Sequence, residues 1–87
     1  MLNVRFDNQT LEDLFESQEF SKSDFEKILK IITQIRRTPY EGDGQPEALK
    51  GNLSGYWSRR INQKDRIVYK VNEETETIEI IQLKGHY

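Results

Sequence analysis

Tyr56-Trp57-Ser58-Arg59-Arg60-Ile61, followed by Asn62-Gln63-Lys64 and then Asp65-Arg66-Ile67-Val68-Tyr69-Lys70-Val71, decides how this chain folds. Both long runs are rich in aromatic and β-branched residues. Their character changes every second residue, the period of a strand whose side chains point to alternate faces. The Asn-Gln-Lys connection is too short for a crossover, so the two strands are antiparallel neighbours. In the second strand Ile67, Tyr69 and Val71 must be the buried set, because the alternate set is Arg66, Val68 and Lys70. In the first strand the same alternation separates Trp57 and Ile61 from Tyr56, Ser58 and Arg60. Arg60 and Arg66 then share the open face. Two guanidiniums side by side repel unless an acidic side chain or a phosphate sits between them.

Moving outward, Asn72-Glu73-Glu74-Thr75 is a turn and Thr77 to Leu83 a third strand, which makes an antiparallel meander. Upstream, residues 38–46 hold both prolines and two of the five glycines, and read as a loop. Pro39 ends a helix over residues 23–37, since the residue before a proline is pushed out of the helical region. Ser23-Asp24-Phe25-Glu26 has the form of a capping box, and Phe25, Ile28, Leu29, Ile32 and Ile35 make its apolar stripe. A shorter helix over 10–19 follows from Thr10-Leu11-Glu12-Asp13 and the stripe Leu11, Leu14, Phe15. Leu2, Val4 and Phe6 alternate along a short edge strand. The expected architecture is α+β: an N-terminal strand and two helices packed on one face of a mainly antiparallel sheet, with residues 1–87 as a single domain.

The chain has 87 residues, above the roughly 70–80 below which a core usually needs a staple. Charged residues make up 32%, but the signs are mixed, and four Phe, four Tyr and one Trp can build a core, so disorder throughout is not expected. Cysteine is absent, which excludes disulfides, thiolate metal sites and cysteine nucleophiles. A single histidine excludes a His-pair zinc site, and no cofactor is expected. No apolar run is long enough for a membrane span and no signal-peptide pattern opens the chain, so a cytoplasmic location is the default. The net charge of −2 hides a split. Residues 36–70 carry eight basic and four acidic side chains while both flanks are acidic, so the middle is the candidate anion-binding surface.

Without cysteine or metal, one chemistry asks little of a protein. RNA supplies its own nucleophile, the ribose 2′-hydroxyl, and needs a base for it, an acid for the leaving 5′-oxygen and a cation for the charged phosphorane. Glu, His and Arg suffice, and DNA would be untouched. Each candidate has an ordinary alternative. Glu47 in a polar stretch is commonly a solvated charge, penultimate His86 a frayed end, and Arg66 a partner for Asp65. Glu73, Glu74, Glu76 and Glu79 lack coordinating spacing and read as a solvated hairpin. Composition and spacing alone leave the matter open.

A resemblance narrows it. Gly42-x-Gly44-x-Pro46-Glu47-x-Leu49-Lys50, Leu53-x-Gly55-x-Trp57-Ser58-Arg59-Arg60-Ile61, Arg66-x-Val68-Tyr69 and the final His86-Tyr87, with Arg36-Arg37-Thr38-Pro39-Tyr40-Glu41 before them, resemble the YoeB/Txe toxins of the RelE superfamily. The likeness is dense over 36–69 and at the last two positions. It implies a microbial-ribonuclease-like fold and the toxin of a type II toxin–antitoxin pair, a metal-independent endoribonuclease. Members cut mRNA in the ribosomal A site through a 2′,3′-cyclic phosphate and stop translation. By position Glu47 would be the general base, Arg66 the transition-state cation, His86 the general acid and Tyr87 the residue that orients substrate. Lys50, Arg59 and Arg60 would hold RNA phosphate.

The resemblance also implies a YefM/Phd-like antitoxin whose acidic segment folds over the basic face, the mRNA and 70S ribosome as targets, and a homodimer. Operator DNA would be reached only through the antitoxin complex, where this chain acts as co-repressor. The same superfamily fold includes gyrase-poisoning toxins, so a binding protein without catalysis, or a purely regulatory one, is the rival reading. The chain departs from the pattern in two places. Its first helix offers Leu11, Leu14 and Phe15 where members carry Trp and Tyr. Lys84-Gly85 precedes the last two residues where members have a basic residue and an aromatic, and Gly85 gives the backbone beside His86 extra freedom.

Overall fold

A computed structural model describes residues 1–16 and 20–85. The elements are β1 (Asn3–Phe6), α1 (Asn8–Glu16), α2 (Lys22–Arg37), β2 (Glu47–Ala48), β3 (Trp57–Arg60), β4 (Arg66–Asn72) and β5 (Thr77–Gln82). The strands form one sheet in the order β1-β5-β4-β3-β2. β1 runs parallel to β5 and the other pairs are antiparallel. The α+β architecture expected from the sequence is present.

The hairpin register is the one the alternation demands. Trp57 pairs with Tyr69, Ser58 with Val68, Arg59 with Ile67 and Arg60 with Arg66. Directly opposed residues share a face, so Ile67, Tyr69, Ile78 and Ile80 point inward and are buried. Ile28, Ile31 and Ile35 of α2 close over them with no exposed surface. Shortening one of these isoleucines to Ala would cost about 2–5 kcal/mol, the transfer loss plus the cavity left behind. Two outward residues depart from the rule: Ser58 and Val68, opposite each other, are fully buried although they belong to the Arg60 and Arg66–Lys70 sets.

Helix α2 starts earlier than the sequence pattern suggests. Its N-cap is Ser21, whose Oγ accepts from Asp24 N–H at 3.0 Å while the Asp24 carboxylate accepts from Ser21 N–H at 3.3 Å. The box is therefore Ser21–Asp24 and not Ser23–Glu26. The earlier start sets Phe20 just before the cap and Phe25 at the fourth helical position, and both pack against the core, the arrangement of a hydrophobic staple. Helix α1 is capped by Asp7, which accepts from Thr10 N–H at 2.8 Å. Thr10 is buried instead of capping. Of the expected apolar stripes, Leu14 is buried, but Leu11, Phe15 and Leu29 are 41%, 71% and 49% exposed. Ile31 takes the place in the core that the pattern gave to Leu29.

Two elements lie in stretches without periodicity. The two-residue strand β2 pairs Glu47 with Ser58 and Ala48 with Trp57, and a 3₁₀ turn follows at Gly51–Leu53. The loop leading into β2 passes so close to β3 that Gly44 O accepts from Arg60 N–H at 2.7 Å. Gly44 has φ +85°, and a Cβ there would lie 2.9 Å from the Arg60 carbonyl oxygen. Only glycine fits such an approach.

Candidate active site

The outer face of β2, β3 and β4 is read directly from the register. Glu47 lies across from Ser58, Ser58 across from Val68 and Arg60 across from Arg66. Glu47, Ser58, Arg60, Arg66 and Val68 therefore point to one side. Arg66 stands two strands over from Glu47 and two residues along, which at ordinary sheet spacings is about 12 Å between Cα atoms. A glutamate arm and an arginine arm reaching inward from that separation can meet on one phosphate. Further along the same face Lys70 Nζ sits 5.5 Å from the Tyr56 ring centroid, adding a cation and an aromatic plate. Lys50 is exposed just after Leu49, itself buried.

Arg59 is a correction. The expectation that it holds phosphate fails on its position: it alternates with Arg60, points inward and has no exposed surface. Its Nη2 donates to Thr38 O and Glu41 O, each at 2.8 Å. Nε donates to Tyr69 Oη at 3.2 Å, and Nη1 makes longer contacts of 3.4 Å to Gln34 Oε1 and Asp43 O. Tyr69 Oη in turn donates to Pro39 O. Burial raises the Tyr69 phenol above its ordinary value, partly offset by the hydrogen bond and charge of Arg59. Gln34 and Asp43 exchange two further bonds, and Lys30 lies 3.3 Å from the Asp43 carboxylate. The Gln34 bond, then Lys30, holds that carboxyl below its ordinary value. Arg59 thus fastens the 38–46 loop to the sheet, and that loop delivers Glu47.

Two further residues carry no signal in a motif search. Ser58 is fully buried between Glu47 and Val68, and its Oγ has no hydrogen-bond partner among the described residues. Asp65, immediately before Arg66, is 1% exposed. Its Oδ2 accepts from Asn62 Nδ2 at 2.9 Å and its Oδ1 from Gly85 N–H at 2.8 Å. A tight turn with Asn and Asp three apart hints at the first bond, since such side chains cap turns; nothing local hints at the second. His86 and Tyr87, the expected acid and orienting residue, lie outside the described residues.

A cleft of about 420 Å³ lies elsewhere, between the start of β1, the end of α2 and the β4–β5 turn. Arg36, Arg37, Glu73 and Glu76 mix both charges there, so it favours no single anion. The outer sheet face, where Arg60, Arg66 and Lys70 stand, is the better candidate for an anionic polymer. Among the described residues no three His, Cys, Asp or Glu are grouped to hold a metal, and no helix is long and apolar enough to cross a membrane.

Known structures share this fold. A YoeB/ParE toxin from Agrobacterium tumefaciens superposes with a TM-score of 0.90 at 37% identity, over 99% of this chain and 100% of that one. The YoeB of Staphylococcus aureus, in a heterotetrameric complex with YefM, gives a TM-score of 0.84 at 42% identity over 100% and 99% of the two chains; the same toxin is also known as a dimer. The fold and these likenesses define a RelE/YoeB-type toxin of a toxin–antitoxin system. The sequence then fixes the family. The family model described as "YoeB-like toxin of bacterial type II toxin-antitoxin system" matches residues 6–87. Toxin YoeB of Escherichia coli O6:H1 is 43% identical over 86 residues, which is 99% of this chain and 100% of that protein. This chain belongs to the YoeB-like toxins.

Proposed function

We propose that this toxin is an endoribonuclease that cuts mRNA on the ribosome without needing a metal. The observation that carries the reading is the sheet register, in which one carboxylate and two guanidiniums share the outer face. Glu47 takes the proton of the 2′-hydroxyl as its oxygen bonds to phosphorus. Arg66, with Arg60 and Lys50, bears the charge that builds on the phosphate oxygens. His86 gives a proton to the 5′-oxygen as the P–O5′ bond breaks, and Tyr87 orients the chain. The products are a 2′,3′-cyclic phosphate and a 5′-hydroxyl. The guanidiniums supply the positive charge that a metal would otherwise bring.

The test is cleavage of a translated mRNA mapped by primer extension. Glu47→Ala should cut at least about 100-fold more slowly than wild type, the usual contribution of a general base, with an unchanged melting temperature. A deoxyribose at the scissile position should abolish cutting. Wild-type rates from both Glu47→Ala and His86→Ala, or cutting of the deoxy substrate, would refute the assignment.

The likeness to the S. aureus toxin extends the proposal to partners. An antitoxin of the YefM kind lays an acidic segment over the basic face and neutralises it, operator DNA is reached only through that complex, and the free toxin forms a homodimer. Its place of work is then the cytoplasm. Light scattering of the free chain and of the co-expressed pair gives both stoichiometries.

A further inference from the structure

We propose that Asp65 is a positioning residue, whose buried carboxylate fixes the point from which the chain continues to His86. Its catalytic consequence rests on the nuclease reading above; its mechanical consequence does not. The β3–β4 turn is closed mainly by Asn62, whose Oδ1 accepts from Lys64 N–H at 2.9 Å and Asp65 N–H at 2.8 Å. Asp65 gives that turn its backbone oxygen, which accepts from Ile61 N–H at 3.0 Å and Asn62 N–H at 3.4 Å, and of its carboxylate only Oδ2, through Asn62 Nδ2 at 2.9 Å. The turn has no use for Oδ1. That oxygen instead accepts from Gly85 N–H at 2.8 Å, from a residue twenty positions along the chain.

The Gly85 peptide is held at its other end too, since Gln82 Nε2 donates to Gly85 O at 3.2 Å. A β-bulge skips Ile81, so that Gln82 pairs with Val68 while Tyr69 pairs with Ile80. Gly85 has φ +77°, with nothing among the described residues, its chain neighbours apart, within 4 Å of where a Cβ would be. The glycine is therefore not packed into a fixed shape; hydrogen bonds at both ends of the residue hold it. Asp65 is 1% exposed, and a buried carboxylate persists only when its oxygens are satisfied. One side chain thus ties the start of β4, which carries Arg66, to the segment that carries His86. An acid misplaced by about 1 Å can slow a reaction about 100-fold.

The experiment compares Asp65→Ala, Asp65→Asn and Gln82→Met in the full-length toxin. It reads mRNA cleavage kinetics, melting temperature and hydrogen exchange at the Gly85 amide. Asp65→Ala should lose Gly85 protection and drop kcat about 10- to 100-fold, with KM within about twofold. Asp65→Asn keeps an oxygen toward Gly85 but turns an amide donor toward Asn62 Nδ2. It should melt lower, retain Gly85 protection and keep most of kcat. Should Asp65→Ala fail to fold, Gln82→Met decides, because it lies outside the turn: kcat should fall while the melting temperature holds. The proposal is overturned if kcat follows melting temperature instead of Gly85 protection, if Gln82→Met leaves kcat unchanged, or if the wild-type Gly85 amide exchanges as fast as in a free peptide. An inactive wild type with a protected Gly85 amide would refute the nuclease reading and support the clamp.

Discussion

Arg59 and Arg60 are adjacent, identical in chemistry and assigned opposite work, so exchanging each should separate stability from binding. Consider Arg59→Leu, which keeps much of the apolar stem. It removes the two short bonds to Thr38 O and Glu41 O, while the contacts at 3.4 Å count for little. Hydrogen bonds from a charged donor are worth about 1.5–3 kcal/mol each, so the gross loss is about 3–6 kcal/mol. A guanidinium no longer has to be desolvated, which returns part of that and leaves a net loss of about 2–4 kcal/mol. The whole chain of 87 residues commands only about 4–13 kcal/mol, so the urea midpoint should fall steeply. Arg60→Gln changes an exposed side chain and should stay within about 0.5 kcal/mol of wild type. The binding assay inverts the order. Affinity for a short single-stranded RNA, measured against salt, should lose about 0.7 of a unit of log–log slope in Arg60→Gln, the loss of one phosphate contact. The folded fraction of Arg59→Leu should keep the wild-type slope. An Arg59→Leu protein with an unchanged urea midpoint and a reduced slope would refute the inward assignment of Arg59 and return it to the phosphate-binding set.

Three further outcomes follow from the same geometry. Gly44→Ala puts a Cβ 2.9 Å from the Arg60 carbonyl at φ +85°, and should destabilise by about 1–3 kcal/mol while slowing cleavage through a displaced Glu47; a wild-type melting curve would contradict the close approach. The Tyr69 phenol sits above its ordinary 10.0 because of burial, so the fold favours the protonated form. Its stabilising contribution is complete below pH 10 and is lost as pH rises through the folded value; Tyr69→Phe should therefore show a shallower alkaline loss of stability by urea titration, and equal slopes would disprove it. Ser58 Oγ is buried without a partner among the described residues, so Ser58→Ala should cost less than about 1 kcal/mol or even stabilise; a larger loss by thermal melt would mean that the hydroxyl has a structural partner.

The hairpin was legible because period-two alternation and a short turn leave one solution, and Arg60 facing Arg66 followed from that register. Helix α2 was legible because its isoleucines recur at helical spacing. Its start was not, because Ser21 and Ser23 both offer caps and the choice falls to packing at Phe20 and Phe25. Strand β2 was invisible: two residues carry no period, and the pairing of Glu47 with Ser58 is set by the loop that Arg59 and Gly44 hold down. The alternation that freed Arg60 also implied an inward Arg59. What local sequence does not announce is that this inward position is a cluster of loop carbonyls able to take a cation. The Asp65–Gly85 bond joins residues too far apart in the chain for any local pattern to show it.

An acidic protein proposed to work on an anion looks contradictory only while its charges are summed. Among the described outward residues of β2, β3 and β4, Glu47 is the one acid, beside Arg60, Arg66 and Lys70. Glu73, Glu74 and Glu76 lie in the exposed β4–β5 turn, and Glu79 on β5 is opposed by Lys70 and 3.8 Å from Arg5. The described chain measures 25 Å even along its shortest axis, about three screening lengths at physiological salt. A carboxylate on the helical side or at the far turn is therefore a weak presence at the outer sheet face, and the local sign decides what docks. The inward turn of Arg59 fits the same division. On the proposed reading the sheet spends one arginine on holding the loop that carries Glu47 and keeps its neighbour for phosphate, so that adjacent positions on one strand would serve the fold and the reaction separately.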